Sequence, residues 1–371
     1  MDFNPSDLQR MLLDSAERYL RERFTLDHRR SLRSVEDGLD RDAWAMFAEL
    51  GWLALAIPEA AGGLGGSIDD IALLSTALGA NLVTEPFVST AVLAVHLLAN
   101  ASPAREDVLG RIAAGDCRIA LAHDEPGEPD EDDADLSTII TREDDALTLT
   151  GRKMLVLDAP SADSLIVTAS LGDERSMVLV LVDSGASGVH FSPYSLIDGS
   201  RAADIRFDAV RLGADAILAG PATARGLLAE ATDRATMALL GKAVGSMEAC
   251  LRFCSAYLKE RHQFGQPIGG FQALQHIMAD MFVATHQSRS ALYQALSNAD
   301  SPAAERGRAV SLAKLVVAEA SQLVSRQGIQ LHGGYGVTDE YEISHHYRQL
   351  LVIEKSFGDI LFHTRRLAAV A

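Results

Sequence analysis

Apolar positions along the chain fall into three successive textures. Up to about residue 118 they recur at helical spacing. Phe3, Leu8, Leu12, Leu13, Ala16 and Leu20 lie near 3.6-residue intervals, so one face of a helix is apolar. Asn4-Pro5-Ser6-Asp7 supplies an N-cap and an early proline for it. A second helix is predicted from about Arg41 to Leu50, stopped by Gly51, and a glycine-rich turn follows at Pro58–Ser67. Asp69–Ala80 and Phe87–Ala99 read as buried helices.

The pattern changes between about 119 and 222. Thr148-Leu149, Met154–Leu157, Leu165–Ala169 and Met177–Val182 are β-like runs. Turn signals separate them at Thr150-Gly151, Asp158-Ala159-Pro160 and Asp183-Ser184-Gly185, and Ser170–Arg175 reads as a hairpin loop. Strands at this spacing without intervening helices predict an antiparallel sandwich or barrel. From about 223 the helical period returns. Met237, Leu240, Val244, Met247, Leu251, Cys254 and Leu258 form one stripe. Helices are predicted at Phe271–Ala299 and, after the break Asp300-Ser301-Pro302, at Ala303–Leu331, with two shorter ones beyond His332-Gly333-Gly334-Tyr335-Gly336. The predicted fold class is α+β: an N-terminal helical domain (1–118), a central antiparallel β-barrel or sandwich domain (119–222) and a C-terminal four-helix-bundle domain (223–371). No internal repeat is visible.

Composition narrows the function. Lys and Arg number 33 and Asp and Glu 51 in 371 residues, a formal net charge of −18. So acidic a chain is a poor generic binder of nucleic acid or anionic membrane, although local arginines can still receive phosphates. The lipid-like run Phe87–Ala99 is 13 residues, too short to span a bilayer, and the N-terminus has no apolar signal core. Three cysteines without a CxxC pair argue against a disulfide framework. A cytoplasmic address is therefore expected. The acidic run Asp124–Asp133 holds seven carboxylates in ten residues and reads as a solvated loop.

Two motifs stand out. In Arg261–Ile268 a helix ends, Gly265 and Pro267 turn the chain, and Phe271-Gln272 opens the next helix. An arginine there can fork onto a diphosphate, with an aromatic beside it against a base; a plain helix hairpin would look similar. In Gln330–Gly336, three glycines within four residues end a helix and allow close backbone approach, as would a sharp C-terminal turn. Neither is a P-loop or a GxGxxG fingerprint. His345-His346 are adjacent rather than four apart, which does not support a metal site. Cys250 and Cys254 share a helix face and read as core.

Together RHQFGQPIGGFQ (Arg261–Gln272) and QLHGGYG (Gln330–Gly336) resemble the signatures of the acyl-CoA dehydrogenase family. Leu50-Gly51-Trp52 through Pro58-Glu59, Gly62–Gly65 and Leu149–Met154 extend the resemblance over nearly the whole chain. Asp339-Glu340-Tyr341 and Phe357-Gly358-Asp359 look like the pimeloyl-CoA dehydrogenase small-subunit type and steroid-degrading heteromeric subunits. The resemblance implies a tetramer that binds FAD, dehydrogenates the Cα–Cβ bond of an acyl-CoA thioester and passes electrons to an electron-transfer acceptor. It also assigns Arg261, Phe264, Gln272, Gln330, Gly333 and Gly334 to FAD of an adjoining subunit.

The chain departs from the family where catalysis is expected. The family's base is a Glu nine residues beyond an Arg; here Arg348 leads to Phe357, with Gly358 keeping register. A phenyl ring cannot accept a proton. An alternative base position on the long helix is Ala235, followed by Thr236. Asp233, Glu354 and Asp359 are nearby carboxylates, and Asp359 is the best remaining catalytic candidate. Glu125-Pro126-Gly127-Glu128 replaces the family's flavin-side loop, and Leu155-Val156-Leu157-Asp158 its Trp-Ile-Thr-Asn-like segment. Two readings follow. In the first, this is a partner subunit that completes the FAD site of a homologous catalytic subunit in a heterotetramer. In the second, it is a self-sufficient homo-oligomeric dehydrogenase with an unusual base.

Overall fold

The computed structural model describes residues 5–127, 136–143, 146–172 and 176–369. The acidic run beyond Gly127, and the end of the predicted hairpin loop at 173–175, lie outside the described residues. Helix α1 (Asp7–Arg23) begins at a capping box: Gln9 N–H donates to Ser6 Oγ (3.2 Å) and Ser6 N–H to Gln9 Oε1 (3.0 Å). After α2 (Leu26–Ser31), α3 (Arg41–Glu49) starts where Asp40 accepts from Ala43 N–H at 3.1 Å. Helix α4 (Ile68–Ala80) follows. The segment predicted as one helix over Phe87–Ala99 instead opens as a π-helix, Phe87–Ala94, before α5 (Val95–Ala99). Within that wider turn, Ser89 donates to Asp158 Oδ2 and Thr90 Oγ1 bonds both backbone groups of Ile119. Helix α6 (Glu106–Ala113) was not evident from the sequence.

Compactness divides the chain into two units that are discontinuous in sequence. One contains Leu32–Ser67 and Thr84–Ala235; the other contains the chain up to Ser31, Ile68–Val83 and Thr236 onward. The first is built on strands β1 (Ile119–Ala122), β2 (Ile139–Glu143), β3 (Ala146–Leu157), β4 (Ser164–Leu171), β5 (Ser176–Asp183), β6 (Val189–Ser195), β7 (Arg201–Leu212) and β8 (Ile217–Ala219). Their order is β6-β7-β3-β2-β4-β5-β8, with β1 beside β4. The sheet is mixed rather than wholly antiparallel, and no closed barrel is seen among the described residues: β1 and β2 both run parallel to β4, the remaining pairs antiparallel. Parallel strands need a crossover, usually a helix. Here the β2–β3 hairpin lies between β1 and β4 and makes that crossover, so no helical signal announces it. Ile140, Leu149, Val167, Val180, Ile205 and Phe207 pack its core.

A buried ion pair fixes the second half of β3. Lys153 Nζ, fully buried, donates to Glu125 Oε1 (2.7 Å), His123 O (2.9 Å) and Thr168 Oγ1 (2.9 Å). Glu125 in turn accepts from Ser137 and Thr138. Desolvation pushes that carboxyl up, but the hydrogen bonds outweigh it and hold it at about 2. The turn expected at Thr150-Gly151 is instead a register shift within the continuous strand β3, and Gly151 serves packing there: a Cβ would lie 2.5 Å from Thr138 Cα.

The second unit is helical. Helix α7 (Ala224–Glu260) enters it at Thr236 and leads to a small hairpin of β9 (His262–Gln263) and β10 (Gln266–Pro267). Helices α8 (Gln272–Ser297), α9 (Ala303–His332), α10 (Glu342–Lys355) and α11 (Ile360–Ala368) follow. Helix α4 crosses α7 at backbone distance. A Cβ on Gly79 or Gly245 would come within 1.9 Å of the carbonyl oxygens of Lys242 and Thr76, and one on Gly241 within 2.5 Å of that of Ala72. Only glycine allows so close a crossing.

Candidate cofactor-holding site

Both motifs lie in the helical unit. Helix α7 ends at Glu260, and Arg261 N–H still donates to Tyr257 O (2.9 Å). The two-residue turn of the β9–β10 hairpin is Phe264-Gly265, with φ of +53° and +80°. Two positive φ values define a type I′ turn, where Asn-Gly is favoured and phenylalanine is strained. The Phe264 ring is nonetheless 92 % exposed, touching Phe271 edge-on at 6.1 Å. Arg261 and Gln272 are also exposed.

The second motif ends α9. Gly333 closes the helix at φ +58°, its N–H donating to Gln330 O. A Cβ on Gly333 or Gly334 would meet nothing of this chain within 4 Å. Gly336 differs, since its Cβ would lie 2.7 Å from Ile329 O. The fold therefore requires Gly336, while the space above Gly333-Gly334 stays open to a group approaching from outside. Gln330 is exposed on the last turn of α9.

Aromatic packing joins the motifs. Tyr257, one turn before Arg261, lies 4.5 Å from the His332 ring and 6.3 Å, stacked, from Tyr335. Tyr341 packs on His332 (4.9 Å) and Tyr335 (4.7 Å), and Phe253 on Tyr341 (6.0 Å). Tyr257 carries no motif signal, and only its place one turn before Arg261 could have pointed to it; Tyr341 belongs to the Asp339-Glu340-Tyr341 segment and precedes α10 in extended backbone.

The place of the expected base looks different. Phe357 and Gly358 link α10 to α11 with φ of +54° and +94°. Lys314 Nζ, 1 % exposed, donates to Ile353 O and Ser356 O, both at 2.7 Å. His363 lies with Nε2 3.1 Å from Phe357 O and Nδ1 3.1 Å from Ser311 Oγ. Asp359 caps α11: it accepts from Phe362 N–H at 3.0 Å and from Lys355 Nζ at 3.2 Å. The bond from Phe362, with help from Lys355, holds its carboxyl below the usual range and weakens it as a proton acceptor. Ala235 and Thr236 are buried within α7, and so is Asp233.

The other candidates have ordinary roles. Burial pushes the Cys250 thiol well up and that of Cys254 to about 12, against nucleophilic use. His346 Nδ1 lies 2.8 Å from Ser246 Oγ, while His345 bonds Arg29 and Asp339. Among the described residues no three His, Cys, Asp or Glu side chains converge as a metal site. No helix there is long and apolar enough to cross a membrane.

Known proteins match this arrangement along the chain. Residues 6–116 match the N-terminal domain of acyl-CoA dehydrogenases and residues 226–370 the C-terminal domain. The chain belongs to the acyl-CoA dehydrogenase family. It is 27 % identical to the acyl-CoA dehydrogenase IpdE2 of Mycolicibacterium smegmatis, over 92 % of this chain and 91 % of that protein. The ChsE4-ChsE5 complex of Mycobacterium tuberculosis contains a chain 26 % identical, with a TM-score of 0.89 and coverage of 100 % and 98 %. A variant of the Tcur3481-Tcur3483 steroid ACAD is 28 % identical, with a TM-score of 0.88 and coverage of 98 % and 97 %.

Proposed function

We propose that this chain is a partner subunit of a heteromeric FAD-dependent acyl-CoA dehydrogenase, completing the FAD site of a homologous catalytic subunit. FAD supplies the hydride acceptor for α,β-dehydrogenation of the acyl thioester. Arg261, Gln272 and Gln330 are exposed polar groups, and Gly333-Gly334 leave open backbone above a helix end. That set fits a diphosphate and its adenosine, with the exposed Phe264 ring as an apolar contact. In this reading Arg261 forks onto the diphosphate, the Gly333-Gly334 backbone approaches it, and Phe264 covers the ring system.

The observation that carries the proposal is the loop around Phe357. A phenyl ring stands where the base is expected, and the surrounding polar groups (Lys314, His363 and Asp359) hold the chain's own backbone. Proton abstraction then falls to the partner. The relatives named for the ChsE4-ChsE5 complex and the Tcur3481-Tcur3483 steroid ACAD support a heteromeric assembly. A steroid or other lipid acyl-CoA as substrate of the complex, a tetrameric state, an electron-transfer acceptor and a cytoplasmic location belong to the same reading.

The test is purification of this chain alone and with a homologous subunit that retains the glutamate, each incubated with FAD and desalted. Flavin absorbance and acyl-CoA turnover are then measured. The proposal expects turnover from the pair and none from the chain alone. Turnover by the isolated chain that is abolished by Asp359→Asn would replace it with the self-sufficient reading.

A further inference from the structure

The tandem histidines sit behind the turn that carries Gly333 and Gly334. His345 is 1 % exposed on α10. Its Nδ1 accepts from Arg29 Nε (3.3 Å), so Nε2 bears the proton and donates to Asp339 O (3.1 Å). Arg29, itself 9 % exposed on α2, also donates through Nη1 to Leu82 O. The Asp339 carboxylate lies 2.7 Å from Arg348 Nη2, and the same oxygen is 3.8 Å from His345 Nε2. These residues hold the chain returning from the glycine turn, six residues beyond Gly333. Tyr341, two residues further, seats on His332 and Tyr335. Burial holds His345 down to about 4, so one neutral tautomer serves both bonds across the physiological range.

Resting on the cofactor assignment above, we propose that Arg29 and His345 are positioning residues for the Gly333–Tyr341 turn, setting the backbone that receives the diphosphate. Neither residue is exposed enough to meet a ligand by itself. Arg29 fixes the tautomer and His345 passes that constraint to Asp339 O. Elsewhere the turn is held by the Tyr341 stack, by Thr338, whose N–H and hydroxyl both donate to Tyr335 O, and by the half-buried Asp339–Arg348 pair.

Three substitutions separate this role from general support of the fold. His345→Leu removes both bonds. His345→Asn keeps an acceptor near Arg29 but withdraws the donor from Asp339 O. His345→Gln places an amide N–H where Nε2–H was. Hydrogen exchange of the full chain without FAD is expected to speed about tenfold over 333–341 in the Leu and Asn variants, and to stay near wild type in Gln. FAD affinity of the full chain or its complex is expected to follow the same order, while melting temperatures of Asn and Gln match. Unchanged exchange over 333–341 in His345→Leu would overturn the inference, as would equal effects of Asn and Gln. Normal exchange effects in a protein that holds FAD in no assembly would instead sink the cofactor reading and leave the positioning of the turn intact.

Discussion

Two turns in the helical unit invite comparison. The Gly333-Gly334 turn ends α9, and the Phe357-Gly358 turn joins α10 to α11. Both place backbone in the left-handed region at a helix end. At Gly333-Gly334 a side chain would meet nothing of this chain within 4 Å. At Gly358 a Cβ would lie 2.3 Å from Phe362, and Lys314, His363 and Asp359 all bond the surrounding backbone. One turn leaves its glycines facing open space; the other is taken up in the chain's own packing. A position's chemistry is therefore read from whether its polar groups are already engaged as well as from its residue type.

The comparison can be broken most sharply at Lys314. Lys314→Met leaves two carbonyls without their buried donor, and a loss of about 2–4 kcal/mol in denaturant unfolding is expected. Burial lowers the Lys314 ammonium from its ordinary 10.5 to about 8. Between those values the unfolded chain binds more protons than the folded one. The wild-type contribution to stability therefore rises from pH 8 toward 10.5, and K314M should lose that rise. A variant as stable as wild type would mean that the Phe357 turn holds without its clamp.

Gly358→Ala adds a methyl into Phe362 at positive φ, so a loss of about 1–3 kcal/mol is expected in the same unfolding measurement. Asp359→Ala should cost about 1 kcal/mol through the lost α11 cap. Asp359→Asn keeps capping ability and is expected to leave stability and the turnover of the complex near wild type; loss of turnover there would make Asp359 the base. The smallest effect on folding belongs to Gly334→Ala, within about 0.5 kcal/mol, because the added methyl has open space. Its effect should appear as an about tenfold weaker FAD affinity by fluorescence titration. Equal losses of stability at Gly334 and Gly358 would erase the distinction between the turns.

Much of this was legible along the chain. Helix α1 was announced by its apolar period and Ser6 cap, and the long helices α8 and α9 by apolar recurrence and the break at Pro302. The cofactor candidates were legible because they form two local motifs. Strands β6 and β7 were not: β6 is largely exposed and polar, so its partner strand, rather than its own pattern, makes it a strand. The parallel pairing of β1 and β2 with β4 was hidden because a hairpin replaces the crossover helix that would have signalled it.

By itself the sequence determined the family resemblance, the helix–strand–helix order, the two candidate cofactor motifs and the phenylalanine, Phe357, at the position where the resemblance expects a base. Those depend on residue types and short spacings, which covalent order preserves. Tertiary structure decided which glycines are required by packing and which face open space, since that depends on atoms brought from elsewhere. It turned Asp359 from a candidate base into a helix cap held by Phe362 and Lys355. It also joined Arg29 to His345 across 316 positions, a pairing that no local pattern encodes, because both side chains find their partners only when α2 and α10 are packed in one unit.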